Sequence, residues 1–386
     1  NTIGYTYDYR SNVVKTTDAN NGNIINTYND KNQLISTKNQ INQIETYEYD
    51  SFGNLIKTTK NGGNIYLHEY DKLGRLLKST DAMELSEYFA YDKVGNMITY
   101  KDKKGQTTNY SYDNMNRLLN KHTSTLSVNY TYDNFGNVLS MNDSTGNTAY
   151  TYTDNNLLTG ITTPDGETIS YTYNNAKKII GVVDYAGNSY SYTYDGLNRV
   201  DTIKKGSSTI ADYDYTQFGT ISKVTYPEGS TQYTYDNALR LISQVNKLSN
   251  SNIINQYSYT YDLIGNQTQK TDLSNGVEKI TTYSYDAIGR LVSATEPDNT
   301  ATSYTFDASN NIMTKNIVHP TDYEYTFTQN GTDYTINELS THNFTYSYNM
   351  NNQLLQETEY VAGNSENFSG FFEAVSNYTY DANGNT

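Results

Sequence analysis

One phrase is written along this chain again and again. It reads YDSFGNLI from Tyr49, YDKLGRLL from Tyr70, YDKVGNMI from Tyr91 and YDNFGNVL from Tyr132. Counted by its aromatic residue, it falls at Tyr7, Tyr28, Tyr49, Tyr70, Tyr91, Tyr112, Tyr132, Tyr152, Tyr173, Tyr194, Tyr215, Tyr235, Tyr261, Tyr285, Phe306, Phe327, Tyr348 and Tyr380, 18 copies in 386 residues. The usual step is 21 residues, with a few of 20. Three steps are longer, and they predict insertions near 246–255, 271–279 and 361–375 as extended loops or lengthened hairpins. A period this short leaves room for one supersecondary unit per copy. Such a unit cannot bury its own apolar face, so it must stack on its neighbours. Residues 1–386 therefore read as a single repeat array.

Each column of the repeat has a local meaning. Another tyrosine precedes the aromatic by two residues in 15 copies; Asn26, His68 and Phe89 are the exceptions. Residues i and i+2 share one face of a strand, so the phrase ends a strand with an aromatic face and a polar face. The next column is Asp in 12 copies and Asn or Thr in the rest, short polar groups that bond backbone N–H groups just ahead and start turns. Three residues later comes Gly in nine copies and Asn in six, the residues most at ease with positive φ. An aliphatic residue such as Leu55, Leu76, Met97 or Val138 then opens a return strand. A second turn signal lies midway to the next copy, at Asn21-Gly22, Lys104-Gly105, Thr145-Gly146, Asp165-Gly166, Glu228-Gly229 and Asn275-Gly276, and resembles a hairpin turn. The fold class is all-β. Tandem hairpins, some 36 strands, form one continuous antiparallel sheet. At about 4.8 Å per strand it runs for roughly 170 Å, enough for one ring about 55 Å across.

Composition follows from the repeat. The two aromatic columns use 31 of the 42 tyrosines. Each ring covers roughly 150–250 Å² while its hydroxyl seeks a partner, so tyrosine stands in for a scarce aliphatic core. The formal charge of −15 argues against nucleic acid, whose phosphates need a basic surface. There is no cysteine, hence neither disulfide nor thiolate chemistry. No apolar run approaches the roughly 20 residues of a membrane-spanning helix, and NTIGYTYDYR is neither a signal nor a transit peptide.

The phrase Y-D-x-x-G-[NR]-[LIM] at this period resembles the YD-repeat, or Rhs, family. The strongest matches define a structural turn motif: Tyr49, Asp50 and Gly53; Tyr70, Asp71 and Gly74; Tyr91, Asp92 and Gly95; Tyr132, Asp133 and Gly136; Tyr261, Asp262 and Gly265; Tyr285, Asp286 and Gly289. The resemblance covers essentially the whole chain. It implies a bacterial, secreted or cell-surface protein whose repeats curl into a spiral shell or solenoid around a C-terminal toxin. The Asp-Pro-rich segment that closes bacterial shells is absent: none of Pro164, Pro227, Pro297 and Pro320 follows an Asp. The chain starts and stops inside the pattern and reads as a fragment whose partner is the rest of its own polypeptide.

Candidates for chemistry are sparse. His68 sits in a tyrosine column, where packing is the expected role, and His68-Glu69 does not continue into a zinc-protease motif. No nucleophile elbow or phosphate-binding loop occurs. The repeated Asp could be imagined as a calcium ligand, but Thr153, Thr216 and Thr328 fill the same column, and turn capping explains all of them. The expectations are therefore no enzyme activity, no catalytic or metal-binding residues and no cofactor. Two alternatives to the shell remain: a cell-surface glycan-binding or adhesion module using the tyrosine faces, and a filament self-associating through open strand edges.

Overall fold

A computed structural model of the chain describes residues 2–320, 325–329, 332–336, 341–364 and 369–385. Among the described residues there is no α-helix, and a single 3-10 turn spans Asn61–Gly63. Among the described residues thirty-three strands join one antiparallel sheet, and neighbours in it follow one another along the chain with one exception. The chain divides into two units. One comprises Asn1–Tyr88, Ser258–Asp272 and Val277–Thr386, and the other Phe89–Tyr257 and Leu273–Gly276.

The strands begin and end where the columns place them. Tyr49 closes Ile44–Tyr49, and Leu55 opens Leu55–Thr59. Tyr91 closes Ser86–Tyr91, and Met97 opens Met97–Lys101. In Ser189–Tyr194 the tyrosines are half-buried and the intervening Ser and Thr exposed, the two-faced strand that alternation demands. The aromatic also marks a bulge. Glu48 pairs with Lys57 but Tyr49 with Leu55, so the register shifts by one residue beside the turn, and the same shift recurs at Tyr70, Tyr112, Tyr132 and Tyr285. The longer steps lie on longer strands: Leu241–Leu248 with Ile253–Tyr261, Gln267–Ser274 with Val277–Tyr285, and Leu354–Asn364 with Ser369–Asn377. Residues 365–368, within the predicted insertion at 361–375, lie outside the described residues.

One copy departs from the array. Ile312–Val318 pairs directly with Thr341–Tyr348. Between them Tyr325–Gln329 and Thr332–Ile336 form a separate two-stranded sheet. Thr328, expected to start a turn, lies instead within a strand opposite Asp333. The phrase around Phe327 thus lies on a strand pair outside the main sheet and not at a corner.

The sheet has little conventional core. Ala82, Ala211, Val224, Ala294 and Val361 are the buried apolar residues among those described. The chain exposes 23252 Å², against about 15,000 Å² for a globular chain of this mass. Stability must therefore come from backbone pairing, half-covered tyrosines and what holds the turns.

Candidate functional site

The repeated corner is the most elaborate site in the molecule. In each of the six motif copies the Asp carboxylate oxygen Oδ1 accepts from the backbone N–H groups two and four residues ahead, at 2.8–3.0 Å. The backbone closes the same loop: Asp50 N–H donates to Asn54 O at 2.9 Å and Gly53 N–H to Asp50 O at 3.2 Å. The third tip residue takes the left-handed region, with φ of 98° at Gly53, 76° at Gly74, 107° at Gly95, 92° at Gly136, 105° at Gly265 and 81° at Gly289. Where the column is not glycine the conformation persists, at Asn32, Asn116, Asn156 and Asn198, and also at Ser11, Lys177 and Leu239. The corner geometry is imposed by the whole turn, and glycine merely eases it.

The second carboxylate oxygen clamps the turn exit. Asp50, Asp92, Asp133 and Asp262 accept from the side-chain amide of Asn54, Asn96, Asn137 and Asn266 at 2.7–2.9 Å. Asp71 and Asp286 accept from Nε of Arg75 and Arg290 at 2.7 and 2.6 Å. This explains why the exit residue alternates between Asn and Arg: both reach back with an N–H. The donors hold these carboxyls below the ordinary carboxylate range. At Asp71 the Arg75 backbone N–H contributes most, and at Asp50 the Asn54 amide. At Asp92, Asp133, Asp262 and Asp286 burial is the largest single influence and acts upward, but the donors together outweigh it.

The corner is also tied to its neighbours, which sequence reasoning missed. The Tyr49 hydroxyl donates to Leu34 O at 2.8 Å, Tyr132 to Leu118 O at 2.7 Å and Tyr285 to Gln267 O at 2.9 Å. Seven more copies make the same bond, from Tyr28, Tyr112, Tyr152, Tyr173, Tyr194, Tyr215 and Tyr235. The acceptor is always the residue after the preceding turn, at the interrupted point of the ladder. Tyr70, Tyr91 and Tyr261 are half-buried in the same column. Exit arginines reach forward as well: Arg117 lies 4.7 Å from the Tyr132 ring centre, Arg199 4.1 Å from Tyr215 and Arg290 4.3 Å from Phe306. Asn96 and Asn137 donate to the left-handed Asn116 and Asn156 of the next turn, each at 2.9 Å.

The second turn signal needs correction. Asn275-Gly276 is a two-residue hairpin loop with φ of 53° and 75°, as expected. Asn21-Gly22, Lys104-Gly105 and Asp165-Gly166 are not two-residue loops. They belong to five-residue corners of the same design as the motif, starting at Asp18, Asp102 and Thr163. Further corners of this kind start at Asn39, Asp81 and Asp184. Thr145-Gly146 and Glu228-Gly229 are displaced by one: Asp143 pairs with Gly146 and Tyr226 with Gly229, which leaves Ser144-Thr145 and Pro227-Glu228 as the loops.

In the first unit, motif turns meet these return turns at long range. Gln43 donates to Ala308 O at 3.0 Å, Ser309 Oγ to Asn61 O at 3.0 Å and Asn351 Nδ2 to Asp81 Oδ2 at 2.8 Å. Gly62 faces Ser309 so closely that a Cβ there would overlap its hydroxyl.

Other chemistry is local. His342, nearly buried, pairs with Glu359 at 2.6 Å, and burial pushes the His68 imidazole down. In the second unit Phe218, Tyr233 and Tyr235 line a recess of about 310 Å³ with Gln217, Asp236 and Asn237. Among the described residues no three His, Asp or Glu side chains converge, and no helix is long and apolar enough to cross a membrane.

Residues 1–128 and 119–243 match the family model described as Teneurin YD-shell, and residues 261–301 and 285–322 that described as RHS Repeat. No curated protein matches. Among solved structures, TcdB2-TccC3-TEV superposes with a TM-score of 0.68 at 14% identity, over 98% of this chain and 26% of that one. TcdB2-TccC3 without its hypervariable C-terminal region gives 0.65 at 13% identity, over 96% and 26%. The Photorhabdus luminescens Tc holotoxin pore gives 0.56 at 15% identity, over 98% and 25%. The chain thus spans about a quarter of the length of these solved relatives. At such identities the likeness establishes the fold, and the family rests on the sequence match over residues 1–243: the chain belongs to the Teneurin YD-shell family of YD-repeat proteins.

Proposed function

We propose that this chain is a wall segment of a secreted YD-repeat protein, one that encloses a C-terminal toxin and carries no catalysis itself. The observation that carries the reading is the corner. Its polar atoms are spent on backbone N–H groups, on the exit residue and on the next repeat, so the conspicuous Asp and Tyr columns are accounted for structurally. A thin sheet with so few buried residues is a covering material rather than a framework for a pocket. One solved relative is a Tc holotoxin pore, and another is described without its hypervariable C-terminal region. Limited proteolysis of the parent polypeptide tests the proposal. A non-repeat C-terminal region should survive protease while the wall is folded and be cut once urea opens the wall. A C-terminal region digested at once from the native protein would refute it.

A glycan-binding reading has one observation in its favour, the recess of Phe218, Tyr233 and Tyr235 with amide and carboxylate groups at its edge. Retention on a glycan array, lost in Phe218→Ala, would support it over the wall reading.

A further inference from the structure

The corner that follows Tyr215 is linked to the next repeat differently from its neighbours. Elsewhere the exit residue reaches forward in one of two ways. Arg117, Arg199 and Arg290 lay a guanidinium over the next ring of the aromatic column, 4.1–4.7 Å from its centre. Arg117 Nη1 also donates to Asp133 O, at the start of the next corner, at 2.8 Å. Asn12, Asn96 and Asn137 instead donate to the left-handed Asn32, Asn116 and Asn156 of the next turn. Among the described motif corners, Leu157 and Thr220 are the exit residues without a side-chain N–H. Leu157 is apolar and half-buried. Thr220 is short, and its hydroxyl pairs with that of Thr216, at the start of its own turn, at 2.8 Å. The next left-handed residue is Leu239, whose side chain accepts no hydrogen bond. Neither forward link can therefore form at this corner.

A recess of about 310 Å³ opens there. It is lined by Tyr235, the next ring of the column, by Tyr233, and by Phe218 and Leu239 from two successive corners. Asp236, the counterpart of Asp133, lines it too. The Tyr235 hydroxyl already donates to Ile221 O at 2.9 Å, so a ligand meets the ring and not the hydroxyl. The repeats with an exit arginine show what such a ring takes. It takes a flat cation stacked on it, with an N–H left over for the carbonyl of the next corner. A guanidinium does both at once, whereas an ammonium is a compact point charge. The formal charge of −15 further favours a cation over a neutral ligand.

We infer that the recess between the corners at Thr216 and Asp236 binds a guanidinium group that is not part of these two corners. That group takes the place over Tyr235 that an exit arginine takes over Tyr132 and Tyr215. The inference depends on neither the wall reading nor the glycan reading, although the glycan reading concerns the same recess.

The chain has no tryptophan, so Phe218→Trp places a single fluorophore at the recess. Its emission is followed in residues 1–386 during titration with agmatine, with the capped amino acids Nα-acetylarginine amide, Nα-acetyllysine amide and Nα-acetylcitrulline amide, and with N-acetylglucosamine. Agmatine represents a free guanidinium compound and the capped arginine a side chain presented by a polypeptide, so the tighter of the two names the source. Citrulline keeps the shape of arginine without the charge. The expected result is a saturable change with agmatine, the capped arginine or both. Binding of the citrulline compound should be at least about fivefold weaker, and the sugar should give no response. Thr216→Asp with Thr220→Arg rebuilds the corner of Asp195 and Arg199 and should abolish the response. Thr220→Val keeps the side chain short and should retain it. Circular dichroism checks the fold of each variant. Equal binding of the citrulline or lysine compound would overturn the inference. So would no response to either guanidinium compound, a response to the sugar alone, or saturable binding that survives the double replacement. None of these outcomes bears on whether a toxin is enclosed.

Discussion

Replacing Gly136 isolates what the corner demands of the backbone. Its φ is 92°, and a Cβ built there meets no atom within 4 Å, so any cost is conformational and not steric. An L-residue in the left-handed region costs roughly 1–2 kcal/mol. Losing glycine's unfolded-state freedom returns roughly 0.4–1 kcal/mol. Gly136→Ala should therefore weaken the corner by about 1 kcal/mol. Gly136→Val should cost about 2 kcal/mol or more, since β-branching tightens the restriction. Gly136→Asn should be near neutral, because Asn156 and Asn198 hold the same position at φ of 61°. Leu239, at 61° as well, shows that the array tolerates a strained corner, so the effect should be graded. A global melting temperature would dilute a one-corner change in a repeat array. Amide hydrogen exchange reads it directly, since the N–H groups of residues 136 and 137 bond to Asp133. At tenfold per 1.4 kcal/mol, protection should fall about fivefold for Ala and about thirtyfold for Val, and stay within about twofold for Asn. Equal losses for Asn and Val would refute the idea that a left-handed corner is what the column selects.

Three further outcomes follow from the same contacts. Tyr132→Phe keeps the ring under Arg117 but removes the hydroxyl bond to Leu118, and should cost roughly 0.5–1.5 kcal/mol in urea denaturation; no change would mean that the link between repeats is ornamental. Asp71, Asp113, Asp195 and Asp236 titrate below the ordinary carboxylate range, chiefly through the backbone N–H of the exit arginine. Their contribution is complete above the unfolded value of about 3.9 and is lost as pH falls through the lower folded values, so melting temperature should drop only below about pH 4. A decline centred near pH 6 would contradict that assignment. Gly62→Val should loosen the contact with Ser309 and raise exchange at the 307–311 turn while leaving the second unit untouched.

Much of the corner was legible in sequence because its demands are local. A short carboxylate starts the turn, a small or amide residue takes positive φ, and an aliphatic opens the next strand. These are single-residue preferences, and their many repetitions average out exceptions. The return corners were half-legible. Glu84 and Ser251 hold their left-handed positions at φ of 63° and 70°, and neither residue type signals it. The copy at Phe327 misled because spelling alone cannot distinguish a corner from a strand that leaves the sheet. The tyrosine-to-carbonyl bond spans about 15 residues, and the contacts of Ser309 and Asn351 span more than 240. No pattern within one repeat encodes either, since both depend on how the sheet places its turns.

The central claim is that the motif builds a wall. Cryo-electron microscopy of the parent polypeptide tests it most directly. The account predicts that the repeat sheet forms a continuous wall with non-repeat density held on one side of it. A sheet open on both faces, with the C-terminal region outside it, would contradict the account.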